Sequence, residues 1–142
     1  MEPPNIFTQQ VTIRFEHCDP AGIVFYPRYF EMVNRIMEEW LEQEIGVSIA
    51  DLIFKRKLII PTLRIECEFL NPSRLEDVLT ISLKVEKLGN SSFTLNVTAT
   101  CGEEVRFQAR PVVVVVDKDR GKSVPIPGDM RTAMEKYLAS QQ

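Results

Sequence analysis

The spacing of hydrophobic residues changes from strand-like to helical and back along the chain. Over residues 6–16 hydrophobic and polar residues mostly alternate, which predicts a strand whose apolar face ends at Phe15. From about 28 to 44 the spacing becomes helical, which predicts an amphipathic helix roughly 25 Å long. Pro27 suits the first turn, because its missing N–H would have no acceptor there. Gly46 suits the end of the same helix.

Alternation returns after residue 57 and continues to the last third of the chain. Before it, a short helix is predicted from Ser48, because Asp51 three residues later completes a capping box. Four strand-like segments then follow, separated by turn-forming residues. Pro111 in the last of them indicates a sheet edge or a bulge, since proline cannot donate to a ladder. A terminal helix is expected from about residue 129 to 139.

This order of elements predicts an α+β fold in one domain over residues 1–142. Consecutive strands joined by short turns should pair antiparallel. One sheet with helix 28–44 lying across it is the two-layer arrangement that buries both apolar surfaces. The valine run at 112–116 is apolar on both faces, so the uncovered face of the sheet is expected to bury itself against another subunit.

Composition excludes several function classes. A net charge of −3 leaves no electrostatic footprint for nucleic acid. No apolar run approaches the ~20 residues of a membrane-spanning helix, and the first ten residues lack the pattern of a signal peptide. The three cysteines are an odd number at scattered spacings, which argues against a disulfide framework and predicts a cytoplasmic protein.

Candidate chemistry concentrates in HCDPAGIVFYPRYF, residues 17–30, where Asp19 interrupts an apolar run just before the helix. Asp-Pro commonly opens a turn, so Asp19 is either a turn or capping residue or a catalytic carboxylate. The N-terminus of a helix presents unpaired N–H groups and a partial positive charge, which can hold an anion or polarise a carbonyl. A carboxylate beside it would stay ionised, ready to attack or to activate water.

Other site signatures are weak. A Ser–His–Asp relay would need His17, the only histidine, and nothing else supports one. No cluster of histidine and cysteine has metal-binding spacing. Gly22 stands alone and does not form a phosphate-binding loop. The glutamates of the long helix are typical of a solvated face.

The segment RFEHCDPAGIVFYPRYF, residues 14–30, strongly resembles the signature of the 4-hydroxybenzoyl-CoA thioesterase family. The likeness continues through LEDVLTIS at 75–82. The resemblance implies a hotdog fold, in which a curved antiparallel sheet of about five strands wraps one long helix. It also implies hydrolysis of acyl-CoA thioesters without a metal or organic cofactor, by homodimers or homotetramers whose sites lie at the dimer interface.

On the matching positions, the resemblance makes Asp19 the nucleophile or general base and the backbone N–H of Tyr26 the oxyanion donor. Tyr26 stands where a related branch has histidine, so the chain looks closer to the branch with aromatic acyl groups. The candidate substrate-binding residues are His17, Gly22, Ile60, Pro61, Thr62 and Lys87. The segment 60–62 matches family residues near the acyl group, and plain strand packing explains it equally well.

Lys87 is the only basic residue near the turn that holds the CoA phosphates in some relatives, so an acyl carrier protein stays an alternative to CoA. Asp19 makes a thioester hydrolase the first hypothesis. A non-catalytic protein that binds acyl thioesters is the alternative. A hotdog dehydratase using His17 is a third, although no hydratase motif surrounds that histidine.

Overall fold

Strands and helices are described for residues 4–138 in a computed structural model. In chain order they are β1 (Phe7–Thr12), α1 (Pro27–Trp40), β2 (Leu58–Ile59), β3 (Thr62–Phe69), β4 (Val78–Leu88), β5 (Ser92–Cys101), β6 (Glu104–Val114), β7 (Val116–Asp117), β8 (Lys122–Ser123) and α2 (Gly128–Glu135). The predicted terminal helix corresponds to α2, and its expected end at residue 139 lies outside the described residues. No helix within 4–138 combines the length and hydropathy that a membrane span needs.

Five antiparallel strands form the main sheet, in the order β1-β4-β5-β6-β3. The prediction that consecutive strands pair is correct for β4, β5 and β6 and wrong for β3, which pairs with β6 at the far edge. The connection over residues 70–77 is not a tight hairpin, because its backbone bonds to the segment before α1 instead. The position of β3 at the edge of the sheet is therefore set by pairing between residues distant in sequence.

Helix α1 lies across one face of this sheet. Its buried side chains, among them Val33, Ile36 and Trp40, form one core with the inward-facing residues of β4 and β5. The Trp40 ring is edge-on to Tyr137 at 5.6 Å between centroids, which ties the end of α1 to the residues after α2. This is the expected two-layer α+β arrangement, with the helix buried along one side.

The boundaries of α1 follow local signals. Pro27 is its first residue, as expected. After Trp40 the chain continues as a π-helical turn, Leu41–Ile45, which ends at Gly46 in the left-handed conformation with φ 88°. The Oγ of Ser48 then accepts the N–H of Asp51 at 3.1 Å, which confirms the predicted cap of the next turn.

Two predictions about strands are wrong. β1 ends at Thr12, and Phe15 lies exposed in a 3-10 turn, Phe15–His17, beyond it. Pro111 lies in β6, which is an inner strand. It is paired with Ile65 of β3 on one side, whereas the pairing with β5 skips its position, which removes the need for its missing N–H.

The outer face of the main sheet is polar, unlike the apolar face expected from the valine run. That run leaves the main sheet at Val115, and Val116 joins a separate three-stranded sheet, β2-β7-β8. The outward side chains include Thr80, Ser82, Lys84, Glu86, Thr94, Asn96, Thr98, Gln108 and Arg110. Arg110 forms ion pairs there with Glu86 and Glu66. This face is therefore compatible with water.

Candidate active site

The Asp19 loop, residues 17–25, is a small hairpin placed just before α1. Asp19 N–H donates to Ile23 O and Gly22 N–H donates to Asp19 O, both at 2.9 Å. The Phe25 N–H donates to His17 O at the same distance and closes the base of the loop. Gly22 has φ 79°, a conformation that favours glycine. These bonds fix the backbone on which Asp19 is carried.

Asp19 is a turn residue in this loop and not the cap of α1. Its Oδ1 accepts the N–H of Ala21 at 2.9 Å, the bond that defines an Asx turn. Its side chain is half-buried. Among residues 4–138 no donor reaches Oδ2. One oxygen thus holds the turn, and the other stays available for chemistry.

The start of α1 presents a free backbone donor. Tyr26 already has helical angles, φ −53° and ψ −34°. The N–H groups of Arg28 and Tyr29 donate to Phe25 O and Tyr26 O at 2.9 and 3.1 Å, and Pro27 has no N–H. Within the described part of the chain, the Tyr26 N–H has no acceptor. It is therefore the group that a ligand oxygen would meet at this helix end.

Aromatic side chains cluster at the residue that carries this donor. The ring of Tyr26, which is 58% exposed, is edge-on to Phe25 at 5.7 Å and to Phe69 at 5.8 Å. Phe69 is also stacked on Tyr29 at 5.7 Å and edge-on to Phe30 at 6.1 Å. Phe69 was not predicted as a site residue. The alternation of its strand indicates which face of the sheet it lies on, but not that it contacts the start of α1.

His17 is half-buried, and its orientation is fixed by the backbone. Its Nδ1 accepts the N–H of Arg14 at 2.8 Å, so the neutral imidazole carries its proton on Nε2. Nε2 lies 3.8 Å from a carboxylate oxygen of Glu16. His17 lines a cavity of about 660 Å³ between β1 and α1. The apolar part of that lining consists of Val11, Met32, Ile36 and Ile81.

The segment 60–62 lies at the opposite end of β3 from the Tyr26 donor. Thr62 begins β3, and Phe69, which contacts Tyr26, ends it. At ~3.3 Å per residue the two strand ends are roughly 20 Å apart. Pro61 O accepts the N–H of Val114, which is the strand packing that explains this segment without a ligand. One protomer therefore does not bring residues 60–62 to Asp19.

Lys87 lies on the outer face of the sheet. It is paired with Thr94 just after a register shift between β4 and β5. Together with Arg64 and Arg110 it lines a second cavity of about 310 Å³. The guanidinium of Arg110 is paired with Glu86, whose hydrogen bond raises the pKa of Arg110. No ion pair within 4–138 involves Lys87.

Comparison with known proteins agrees with this architecture. The profile of the thioesterase-like superfamily matches residues 13–134. A 1,4-dihydroxy-2-naphthoyl-CoA hydrolase of Nostoc punctiforme is 27% identical over 124 residues, which cover 87% of this chain and 83% of the relative.

Two solved structures are similar over nearly the whole chain. A gentisyl-coenzyme A thioesterase has a TM-score of 0.80 and 26% identity, covering 91% of this chain and 99% of that one. A 1,4-dihydroxy-2-naphthoyl-CoA thioesterase from Synechocystis has a TM-score of 0.84 and 21% identity, covering 92% and 96%.

The family match begins at Ile13, before the Asp19 loop, and ends within α2, so it includes the loop and four of the five strands of the main sheet. The predictions of a hotdog fold and of a thioesterase are confirmed. The chain belongs to the thioesterase-like superfamily.

Proposed function

We propose that this protein hydrolyses an acyl-CoA thioester with the Asp19 carboxylate and the Tyr26 backbone N–H. The observation that carries the proposal is the free Tyr26 N–H at the exposed start of α1. The hairpin of the Asp19 loop leads directly into that donor, and Asp19 keeps one carboxylate oxygen unpaired within residues 4–138. A nucleophile or base and an oxyanion donor are the two groups that acyl transfer requires.

The proposed reaction begins with the thioester carbonyl oxygen accepting the Tyr26 N–H. In one route Oδ2 of Asp19 attacks the carbonyl carbon, the C–S bond breaks, CoA leaves as the thiolate, and water hydrolyses the mixed anhydride. In the other route Asp19 takes a proton from the water that attacks. A positioned base contributes ~10²–10⁴ in rate and one oxyanion donor ~10²–10³. A thiolate leaves readily, so neither route requires a strong general acid.

The complete site in this proposal uses two copies of the chain. β3 is an edge strand of the main sheet, and its Leu63 is 64% exposed. Antiparallel pairing of two β3 edges about a two-fold axis would set the Thr62 end of one copy beside the Phe69 end of the other. That pairing would bring residues 60–62 of the partner to the donor that they do not reach in one protomer. A homodimer is thus the unit that we propose, and a homotetramer remains a prediction.

The proposed substrate is an aromatic acyl-CoA. The rings of Phe25, Tyr26 and Phe69 form a cluster at the residue that carries the free donor, and a flat acyl group could stack on it. The relatives described above are named for 1,4-dihydroxy-2-naphthoyl-CoA and gentisyl-coenzyme A. Lys87 lines the second cavity together with Arg64 and Arg110, which supports a contact with a CoA phosphate. The three cysteines are free thiols, which supports a cytoplasmic location.

A hydrolysis screen tests this function. Benzoyl-, gentisyl-, hexanoyl- and palmitoyl-CoA are incubated with the protein and free thiol is followed. We expect turnover, with the highest kcat/KM for the aromatic thioesters. Binding of acyl-CoA by calorimetry with no thiol release from any of them would support the alternative, a non-catalytic binder. Preference for a straight-chain substrate would reject the aromatic assignment and leave the hydrolase assignment standing.

A further inference from the structure

The Asp19 loop rests on the segment 73–77, which connects β3 to β4. Val24 N–H donates to Ser73 O at 2.9 Å, and Leu75 N–H donates to Gly22 O at 3.1 Å. Between them, Ile23 forms an isolated antiparallel bridge with Arg74. These two hydrogen bonds, on either side of Ile23, join the loop to segment 73–77, so a displacement of that segment displaces the loop.

The same segment is bonded to the chain just after β1. Glu76 N–H donates to Ile13 O, and Ile13 N–H donates to Asp77 O, both at 2.8 Å. Glu76 has φ 74°, in the left-handed region that side-chain-bearing residues seldom occupy. Such a conformation persists where surrounding contacts hold it. Segment 73–77 is therefore held by contacts outside itself, and a side chain of β6 adds a further anchor.

Arg106 of β6 provides that anchor. Its Nη1 donates to Asp77 Oδ2 at 2.7 Å and to Pro72 O at 3.1 Å. The same Asp77 oxygen accepts the N–H of Arg74 at 2.9 Å. The Arg106 side chain is only 12% exposed, so water screens the pair weakly. Hydrogen bonding from Arg106, followed by that of the Arg74 N–H, lowers the pKa of Asp77.

We propose that the Arg106–Asp77 ion pair is a positioning device for catalysis. It holds segment 73–77 in place, and that segment sets the Asp19 loop against the start of α1. Neither residue touches the reacting atoms in this account. The inference rests on the proposed role of Asp19, because positioning matters to rate only if the loop carries a catalytic group. A misplacement of about 1 Å at a reacting group costs up to ~10²-fold in rate.

The test compares kcat and KM of the D77N, R106K and R106Q variants with wild type, each normalised to the folded fraction from circular dichroism. We expect kcat to fall roughly 10–100-fold in D77N and R106Q while KM changes less than about 3-fold. R106K keeps the charge and should recover part of kcat. The double variant D77N/R106Q should lose little more than R106Q alone, because R106Q has already broken the contact that D77N removes.

The control is a second Arg–Asp pair of similar geometry. Arg56 donates to the carboxylate of Asp129 through two nitrogens, at 3.0 and 2.6 Å, and neither residue contacts the Asp19 loop. D129N should leave kcat at the wild-type value. If D77N and R106K both keep wild-type kcat per folded molecule, the positioning role is refuted. If D19N, tested in parallel, is fully active, it is the proposed function that fails.

Discussion

The ring of Phe69, the last residue of β3, lies edge-on to the ring of Tyr26, the residue before α1, with 5.8 Å between centroids and 74° between planes. This contact joins a sheet edge to the helix start where the free donor lies. The stability of the site and the pairing of the sheet are thus connected through one aromatic pair.

Replacing Phe69 by alanine removes its contacts with Tyr26, Tyr29 and Phe30. Aromatic pairs contribute about 0.5–1.5 kcal/mol beyond area burial, so F69A should lower the free energy of unfolding by about 2 kcal/mol. Urea denaturation measures the change. F54A is the control, because Phe54 is exposed and its ring contacts the Nζ of Lys118, 5.8 Å from the ring centroid, and not another aromatic ring of residues 4–138. An F69A variant as stable as F54A would show that the cluster is not coupled to the fold.

Any side chain at Gly22 should lower both the free energy of unfolding and kcat. Its φ is 79°, and an added Cβ would meet no atom within 4 Å, so the cost of G22A is conformational and not steric. That cost is about 1–2 kcal/mol in the free energy of unfolding, and displacement of the loop should also lower kcat. Gly128, the first residue of α2, has equal space and no positive φ, so G128A should leave stability unchanged or raise it. Equal effects of the two substitutions would contradict this account of the loop.

The lowered pKa of Asp77 makes the free energy of unfolding depend on pH. Arg106 lowers the pKa of Asp77 in the folded state below its unfolded value of about 3.9. The pair therefore stabilises fully above that unfolded value, and its contribution is lost as pH falls through the folded pKa. The difference in free energy of unfolding between wild type and D77N should be full at pH 7 and shrink at pH 3, as measured by urea denaturation. A difference that is the same at both pH values would show that Asp77 stabilises without its charge.

The proposed dimer predicts a dependence of activity on the β3 edge. A lysine at Leu63 places a charge in the edge and disfavours strand pairing, as charged edges do. L63K should elute as a monomer in size-exclusion chromatography with light scattering, where wild type elutes as a dimer, and should lose most of its activity. F54K is the control, since Phe54 is similarly exposed at 68% but lies outside the main sheet. A monomeric wild type with full activity would rule out the two-chain site.

Local signals in the sequence were sufficient for most of the fold. Helix α1 begins at Pro27, and its π-helical extension ends at Gly46. Both ends follow from the backbone conformations that proline and glycine favour, so this element could be predicted from the sequence. The pairing of β3 with β6 was not, because it depends on contacts between residues far apart in the chain. The strand that contains Pro111 was predicted to be an edge strand for the same reason. It is an inner strand, and proline is tolerated there because Pro111 is not paired with β5.

The site shows the same division. Asp19 is recognisable because its neighbours form a continuous motif before a helix. Phe69 contacts Tyr26 from a distant strand, and Arg106 bonds to Asp77 in the segment below the Asp19 loop. No local pattern distinguishes them from an ordinary core aromatic and a surface arginine. Residues 60–62 are distant from Asp19 because of the tertiary structure, which the sequence alone does not reveal. In the proposed dimer the second subunit supplies these residues to the site.

The most direct test of the central claim is kcat of D19N on the best acyl-CoA of the screen. The control is D117N, because Asp117 also holds a turn, with its Oδ1 accepting the N–H groups of Asp119 and Arg120 at 2.9 and 3.0 Å, but lies outside the Asp19 loop. We predict a loss of about 10²–10⁴ in kcat for D19N and wild-type kcat for D117N, with both variants folded. A folded D19N that releases thiol at the wild-type rate would contradict the catalytic role of Asp19.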